Sequence, residues 1–240
     1  MDEQKTALIT GAGTGIGRGI AVAFAAHGIN LALLGRTRKT LEETAEMCGT
    51  DPLILEADVN DREALAKAVG TVEDRFGSIN ILVNNAGMNT PLRNLTDMPP
   101  DQWDRVIQVN LTGVYNCFKA VLPGFLRAED GLVINISSMA GKHAGTVGGV
   151  AYSASKFGVG SLTQSINAEF REVGIRATCI YPGEVDTPIL DNRPVVISKK
   201  KKAAALQPED IGAVALMLAN LHDRAIVEEI TIFPRRIVTN

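Results

Sequence analysis

Short apolar runs alternate along the chain with stretches whose apolar positions recur every three or four residues, the pattern of strands interleaved with helices. TALIT (6–10) is followed by a glycine-rich turn and a helix through about His27. NLALLG (30–35) precedes a charged helical stretch at 39–47, and PLILEADV (52–59) precedes the amphipathic helix DREALAKAVGTVEDRF. INILVNNAG (79–87) ends in a turn. A single long helix is expected from Asp101 to beyond Lys119, entered through Pro99 and Pro100. LVINISS (132–138) is the fifth strand, and a Gly-rich loop leads from it to a helix containing YSASK. IRATCIYPG (175–183) is the sixth strand, PEDIGAVALMLANL (208–221) opens as a helix start, and IVEEITIFP (226–234) reads as a seventh strand with alternating sides.

This alternation implies βαβ units with right-handed crossovers. The expected fold is α/β: a Rossmann-type, doubly wound, mostly parallel seven-stranded sheet flanked by helices on both faces. No linker or internal repeat divides residues 1–240, so one domain is expected. In such sheets ligands bind outside the carboxyl ends of the strands. The segments Gly11–Gly17, Gly35–Arg36, Asn84–Gly87 and Pro182–Gly183, with Asp58 and Ser138, all follow strand ends.

Composition narrows the function. Of 240 residues 45% are hydrophobic and 21% charged, enough for one sizeable core. The formal net charge of −3 offers no basic field for nucleic acid. Cys48, Cys117 and Cys179 are scattered without CxxC spacing, as reduced core residues of a cytosolic protein rather than metal ligands. MDEQKTALIT lacks a basic segment followed by an apolar one, and no apolar run is long enough to span a bilayer. A soluble, cytoplasmic protein is expected.

TGAGTGIG (10–17) lies between the first strand and the first helix, where glycines let backbone N–H groups approach a pyrophosphate. Its useful triplet is Gly11, Gly15 and Gly17, because Ile16 breaks the usual spacing. A dinucleotide site often carries an acid at the end of the second strand, against the ribose 2′-hydroxyl. Here LALLGRTRK has none, and Arg36 and Arg38 offer guanidinium groups. Bidentate phosphate contact suits Arg, so Arg36 in particular points to the 2′-phosphate of NADP(H) over NAD(H). Alternatively, both arginines merely solvate a helix start.

Tyr152 and Lys156 are four apart and share one helix face. A free phenol titrates near ~10, too high for a base at neutral pH. An ammonium about 6 Å away in an effective dielectric of ~20 is worth roughly 3 kcal/mol, or about two pKa units. The pair is either a tuned acid–base group or an ordinary helix surface. Ser138, at a strand end facing the same crevice, adds a hydroxyl that can donate to a carbonyl oxygen, unless it only caps the strand.

Together these segments resemble the short-chain dehydrogenase/reductase family over essentially the whole chain. TGAGTGIG is similar to the family's TGxxxGxG loop, and NNAG (84–87) to its fourth-strand motif. INISS, YSASK and YPGEVDTP (181–188) are similar to its serine, YxxxK and PGxxxT segments. The resemblance implies Tyr152 as proton donor or acceptor, Lys156 as the group lowering its pKa and holding the nicotinamide ribose, and Ser138 as the group orienting the substrate oxygen. Asn110, in VNLTG, would hold a water for proton relay; otherwise it is a solvent-facing or helix-bending Asn. Cofactor contacts are implied for Gly11, Thr14, Gly15, Ile16 and Gly17 in the first loop. Asp58 and Val59 would meet adenine, with Asp58 otherwise a cap for the next helix. Asn84, Ala86 and Gly87 follow the fourth strand, and Pro182, Gly183, Val185 and Thr187 wrap the nicotinamide. No metal is implied.

The implied reaction is the NADP(H)-dependent interconversion of a carbonyl and an alcohol, on a small-molecule substrate, by a homo-oligomer (dimer or tetramer). PILDNRPVVISKKKKAAALQ, within 187–207, occupies the place of a short substrate lid. Lys199–Lys202 is a solvated run, or it attracts an acidic carrier in a 3-ketoacyl thioester reductase. VEEITIFPRR departs from the tail of such reductases. His143 reads as a surface loop residue that alternatively touches substrate. A non-catalytic dinucleotide sensor and a purely structural oligomer are the readings from other classes.

Overall fold

All the apolar runs enter one parallel sheet of seven strands, in the order β3-β2-β1-β4-β5-β6-β7. The computed structural model describes residues 4–193 and 198–236. The strands are β1 (Thr6–Thr10), β2 (Asn30–Gly35), β3 (Leu53–Glu56), β4 (Ile81–Asn84), β5 (Gly131–Ile136), β6 (Ile175–Pro182) and β7 (Glu229–Ile232). Every neighbouring pair is parallel, with registers such as Leu8 opposite Leu82 and Ile134 opposite Thr178. The order reverses at β1, between β4 on one side and β2 on the other, and the crevice opens there.

The strand interiors are apolar without alternation because both faces of the sheet are covered. Ala7, Ile9, Ile81 and Val83 enter a core shared with Ile20, Phe24, Ile211 and Leu218. The intervening Leu8, Leu82 and Ala32 enter the opposite core, with Phe118, Leu122 and Phe125. The first core is closed by α1 (Gly15–Ala25), α2 (Arg38–Cys48) and, further along the chain, α8 (Pro208–Ala219). The second is closed by α3 (Arg62–Phe76), α5 (Gly113–Ala128) and α6 (Val150–Phe170). β7 is one of the two edge strands, and its exposed Glu229 and Thr231 alternate with partly buried Ile230 and Ile232, as expected from its sequence.

Three departures from the sequence pattern matter for the site. The strands are shorter at their carboxyl ends than the apolar runs: residues 57–59, 85–87 and 137–138 leave the ladder and form the crevice rim. The expected long helix is in fact α4 (Pro100–Ile107), a π-helical turn (Gln108–Thr112) and then α5. π turns tend to mark functional sites, and Asn110 lies in this one. The lysine run forms a short helix, α7 (Lys199–Ala204), capped by the Ser198 hydroxyl, which accepts from Lys201 N. Val195, Val196 and Ile197 of the expected lid lie outside the described residues.

Among the described residues, no helix is long and apolar enough to cross a membrane, and no three His, Cys, Asp or Glu side chains group as metal ligands. Cys117 and Cys179 are buried and Cys48 half-buried, all three as free thiols. Burial pushes the Cys117 thiol up to about 12.

The glycine loop is braced from behind by contact between α1 and α8. A Cβ on Gly19 would stand 2.5 Å from the Pro208 carbonyl oxygen, and one on Gly212 2.6 Å from the Gly19 carbonyl oxygen. A Cβ on Gly70, inside α3, meets nothing within 4 Å. The same substitution therefore has opposite signs at the two places. Gly19→Ala forces a backbone shift and is expected to destabilise by about 1–3 kcal/mol. Gly70→Ala removes unfolded-chain entropy and is expected to stabilise by about 0.5–1 kcal/mol. Thermal unfolding reads both, at roughly 2–4 °C per kcal/mol.

Candidate active site

The first wall of the crevice is the loop between β1 and α1. Gly15 has φ +51°, which favours glycine, and a Cβ there would stand 3.0 Å from Thr187 Cγ2. The first turn of α1 contains no acidic residue, so its backbone N–H groups face the crevice without a competing carboxylate. Thr14 is the N-cap residue but makes no side-chain cap hydrogen bond. The loop is held by two residues the sequence did not single out. Arg18 Nη2 donates to the Gly13 carbonyl at 2.6 Å, and Asn85 Nδ2 donates to the Thr10 and Gly11 carbonyls at 3.1 and 3.0 Å. Thr10 Oγ1 in turn accepts from the N–H groups of Asn85 and Ala86. These crossed bonds tie β1 to β4 at the point where both leave the sheet.

Arg36 and Asp58 stand together at the ends of β2 and β3, Nη1 to Oδ2 4.0 Å, both substantially exposed. Arg38 is instead engaged with Glu42 one turn along α2, at 2.8 Å. Asp58 does not cap α3. Asp61 does so, accepting from Glu63 N and Ala64 N, while Asp58 Oδ1 accepts from Asn60 N. Val59 is buried, and a Cβ on Gly113 would stand 2.5 Å from its Cγ2. Its carbonyl accepts from Asn116 Nδ2.

Asn84 is placed differently from its neighbours. Its side chain is buried in the sheet, where Nδ2 donates to Asn135 Oδ1 at 2.9 Å, and Asn135 Nδ2 donates to Thr163 on α6. It pairs strands rather than lining the crevice. Ala86 and Gly87 do reach the rim: a Cβ on Gly87 would lie 3.5 Å from Asn110 Oδ1 and 3.6 Å from Lys156 Nζ.

Asn110 neither faces solvent nor bends a helix by itself. It is fully buried, its Oδ1 accepts from Met88 N at 2.8 Å, and its Nδ2 donates to Met88 O and Ser155 Oγ. Both ends of the amide are thus used to fix the chain after β4 against α6.

Lys156 is 4% exposed and its Nζ donates to the Ile136 carbonyl, at the end of β5, at 2.8 Å. Burial lowers its pKa to about 8. The ammonium lies 5.6 Å from the centroid of the Tyr152 ring. The phenol itself is pushed up by burial, and the opposing influences are a hydrogen bond with the Ser138 side chain and then the charges of Arg193 and Arg93. Lys156, expected to lower Tyr152, is not among these influences; its ammonium is bonded to the Ile136 carbonyl. The cations acting on the phenol are two arginines that the motifs did not reveal, because both come from loops remote in sequence. Ser138 begins a short turn and its Oγ also accepts from Ala140 N at 3.2 Å.

Ser138, Tyr152, Ile16, Pro182, Val185 and Thr187 border one cavity of about 490 Å³, and Gly183 also belongs to its wall. His143 is exposed on its loop yet lines the same cavity, as does Lys201; Lys202 is paired with Asp191 at 2.9 Å. The segment beyond Thr187 is anchored at its base by Val185 paired with Leu206. Phe233 and Pro234, from the C-terminal segment, complete the wall beside Gly183, whose N–H donates to Ile232 O at 2.8 Å.

Comparison with known proteins agrees with this geometry. Oxidoreductase UcpA of Salmonella typhimurium is 38% identical over 231 residues, 90% of this chain and 88% of its own. The alcohol dehydrogenase of Thermococcus sibiricus complexed with 5-hydroxy-NADP superposes with a TM-score of 0.86 at 28% identity, over 99% of this chain and 100% of its own. A 3-ketoacyl-(acyl-carrier-protein) reductase from Brucella melitensis complexed with NADH does so with a TM-score of 0.88 at 28% identity, over 98% and 99% of the two chains. The family model for short chain dehydrogenase matches residues 5–195. The chain therefore belongs to the short-chain dehydrogenase/reductase family of oxidoreductases.

Proposed function

We propose that the protein is an NADP(H)-dependent oxidoreductase that interconverts a carbonyl and an alcohol, with Tyr152 as its acid–base group. The observation that carries this is the pairing of the Tyr152 phenol with Ser138 in a cavity that Ile16, beside the glycine loop, and residues of the 182–187 segment also line. The residues fit a dinucleotide: Gly15 leaves no bulk between the start of α1 and Thr187, and Arg36 stands where a 2′-phosphate would need a cation. Gly11, Thr14, Ile16, Gly17, Asp58, Val59, Ala86 and Gly87 are the remaining proposed contacts, with Pro182, Gly183 and Val185 near the nicotinamide end. When bound, the dinucleotide supplies or accepts a hydride.

The chain does the rest. Ser138 and Tyr152 hydrogen-bond the substrate oxygen, and charge developing there is stabilised by the Ser138 hydroxyl. In reduction the phenol gives its proton to that oxygen; in oxidation the phenolate takes one. Lys156 fixes α6 against β5 and holds its ammonium beside the Tyr152 ring. Asn110 is a positioning residue, acting through Met88 and Ser155. A homo-oligomeric, cytoplasmic enzyme with the 187–207 segment as a short lid belongs to the same reading. The thioester alternative is favoured by the exposure of Lys199 and Lys200 on the short helix whose Lys201 lines the cavity. The sensor alternative predicts NADPH binding without turnover.

The first test is NADPH oxidation against ketones, aldehydes and ketoacyl thioesters. Tyr152→Phe is expected to lower kcat by roughly 10²–10⁴-fold while NADPH binding stays within about threefold. Equal turnover by the variant would reject Tyr152 as the proton donor. Arg36→Ala is expected to raise the KM for NADPH roughly tenfold, with the KM for NADH little changed. An equal effect on both would remove the 2′-phosphate assignment. The pH profile follows from burial holding the phenol above its ordinary range. The acid form then persists through neutral pH, so kcat/KM for reduction stays flat there and falls only at alkaline pH, as the proton is lost. A reduction profile that falls near neutrality would contradict this.

A further inference from the structure

The cavity beside Tyr152 is far more cationic than the protein around it. The chain has a formal net charge of −3. Yet Arg93, Arg193, Lys201 and Arg236 line this cavity, against the one carboxylate of Glu184 among the described residues. Such a concentration in an acidic protein calls for a reason.

Arg93 and Arg193 stand apart from the other two by burial and anchorage. Arg93 is 4% exposed; its Nε donates to Thr90 O and its Nη1 to Val147 O, each at 2.9 Å. Its backbone is locked to the start of α6, where Val150 N donates to Arg93 O at 3.0 Å. Gly149, at φ +80°, permits this approach, since a Cβ there would lie 2.4 Å from Arg93 Cβ. Arg193 follows the Pro188–Asn192 turn and is held by Glu184, Nη1 to Oε2 2.7 Å, with both side chains 20% exposed. Both arginines line the cavity with Tyr152, and the two guanidiniums act electrostatically on each other and on the phenol. A guanidinium carries a desolvation cost when buried, and a second cation nearby adds to it. An anionic ligand group offsets both.

We propose that Arg93 and Arg193 form an anion subsite, and that the substrate is a small oxo or hydroxy acid whose carboxylate they receive while its carbonyl or hydroxyl faces Ser138 and Tyr152. This rests on the carbonyl–alcohol reading above and names its substrate class. The size fits a short acid: the cavity of about 490 Å³ also includes Ile16 and Pro182, assigned to the nicotinamide end. A carboxylate is favoured over a phosphate because Glu184 stands beside Arg193 and repels a dianion more than a monoanion. Lys201 and Arg236, less buried, draw anions toward the cavity mouth.

The test compares acetoacetate and 2-oxobutanoate with their methyl esters, which keep the carbonyl and lose the charge. Binding to the enzyme–NADPH complex is measured by calorimetry and turnover by NADPH oxidation. At least one acid is expected to bind better than its ester. Arg193→Gln should weaken that acid roughly 10- to 100-fold and the ester less than about threefold. Arg193→Lys should recover part of the loss, which a purely structural role for Arg193 would not produce. Arg193 carries the test because Arg93 also holds the loop before α6, and thermal unfolding of each variant confirms that it folds. If esters bind as tightly as acids, or if neither acid shows binding that Arg193→Gln weakens, the proposal fails. Arg193-dependent acid binding without any NADPH oxidation would uphold the subsite and overturn the carbonyl–alcohol reading. Turnover of neutral ketones alone would do the reverse.

Discussion

The buried ammonium of Lys156, bonded to the last carbonyl of β5, fixes the site more than any other single contact. A charge in that position is costly to bury, and it is tolerated because the carbonyl at the end of a parallel strand has left the ladder and needs a donor. A second bond runs the other way, from Ser137 Oγ to the Lys156 carbonyl at 2.9 Å. Together they fix the rotation of α6 about its axis relative to β5. Once that rotation is set, Tyr152 one turn earlier must face the residue after Ser137. The phenol–serine pair is a consequence of how a helix is pinned to a strand end.

The rest of the crevice is built by the same device, in which polar side chains satisfy backbone groups released where strands end. Asn85 and Thr10 do this between β1 and β4, Arg18 does it for the glycine loop, and Asn110 does it for Met88. Each bond is worth little net in water, but leaving a buried backbone group without a partner costs more. The crevice is therefore rigid at its floor. The described parts of its outer wall are joined to that floor by the Val185–Leu206 pairing and the Arg193–Glu184 pair, and to each other by the Lys202–Asp191 pair.

Burial also sets the electrostatics. It pushes the Tyr152 phenol up and the Lys156 ammonium down, so two groups of nearly equal proton affinity when free are driven apart, and the phenol becomes the one that holds its proton more tightly. The countervailing charges come from arginines on two loops that meet only across the cavity. The arginines oppose the rise that burial imposes on the phenol, so the charge proposed to receive an anionic ligand also acts on Tyr152.

The order of strands and helices was legible in the sequence because it rests on periodicity, which is local: β1 and β2 match their apolar runs residue for residue, and the other strands differ only at their ends. The glycine loop and Ser138 were legible for a related reason, since each follows a strand end whose position the pattern fixes, while Tyr152 and Lys156 were marked by their four-residue spacing and by the family resemblance. What remained hidden depends on contacts between distant segments. Asn84 lies in a motif yet turns into the sheet, because Asn135 on the adjacent strand supplies its partner. Asn110 sits in a π turn that no composition signal marks. Arg93 and Arg193 are a hundred positions apart, in loops without a motif. Only the folding of those loops over the carboxyl ends of the strands joins them, since the net field in a cavity is a sum over segments that local pattern cannot relate.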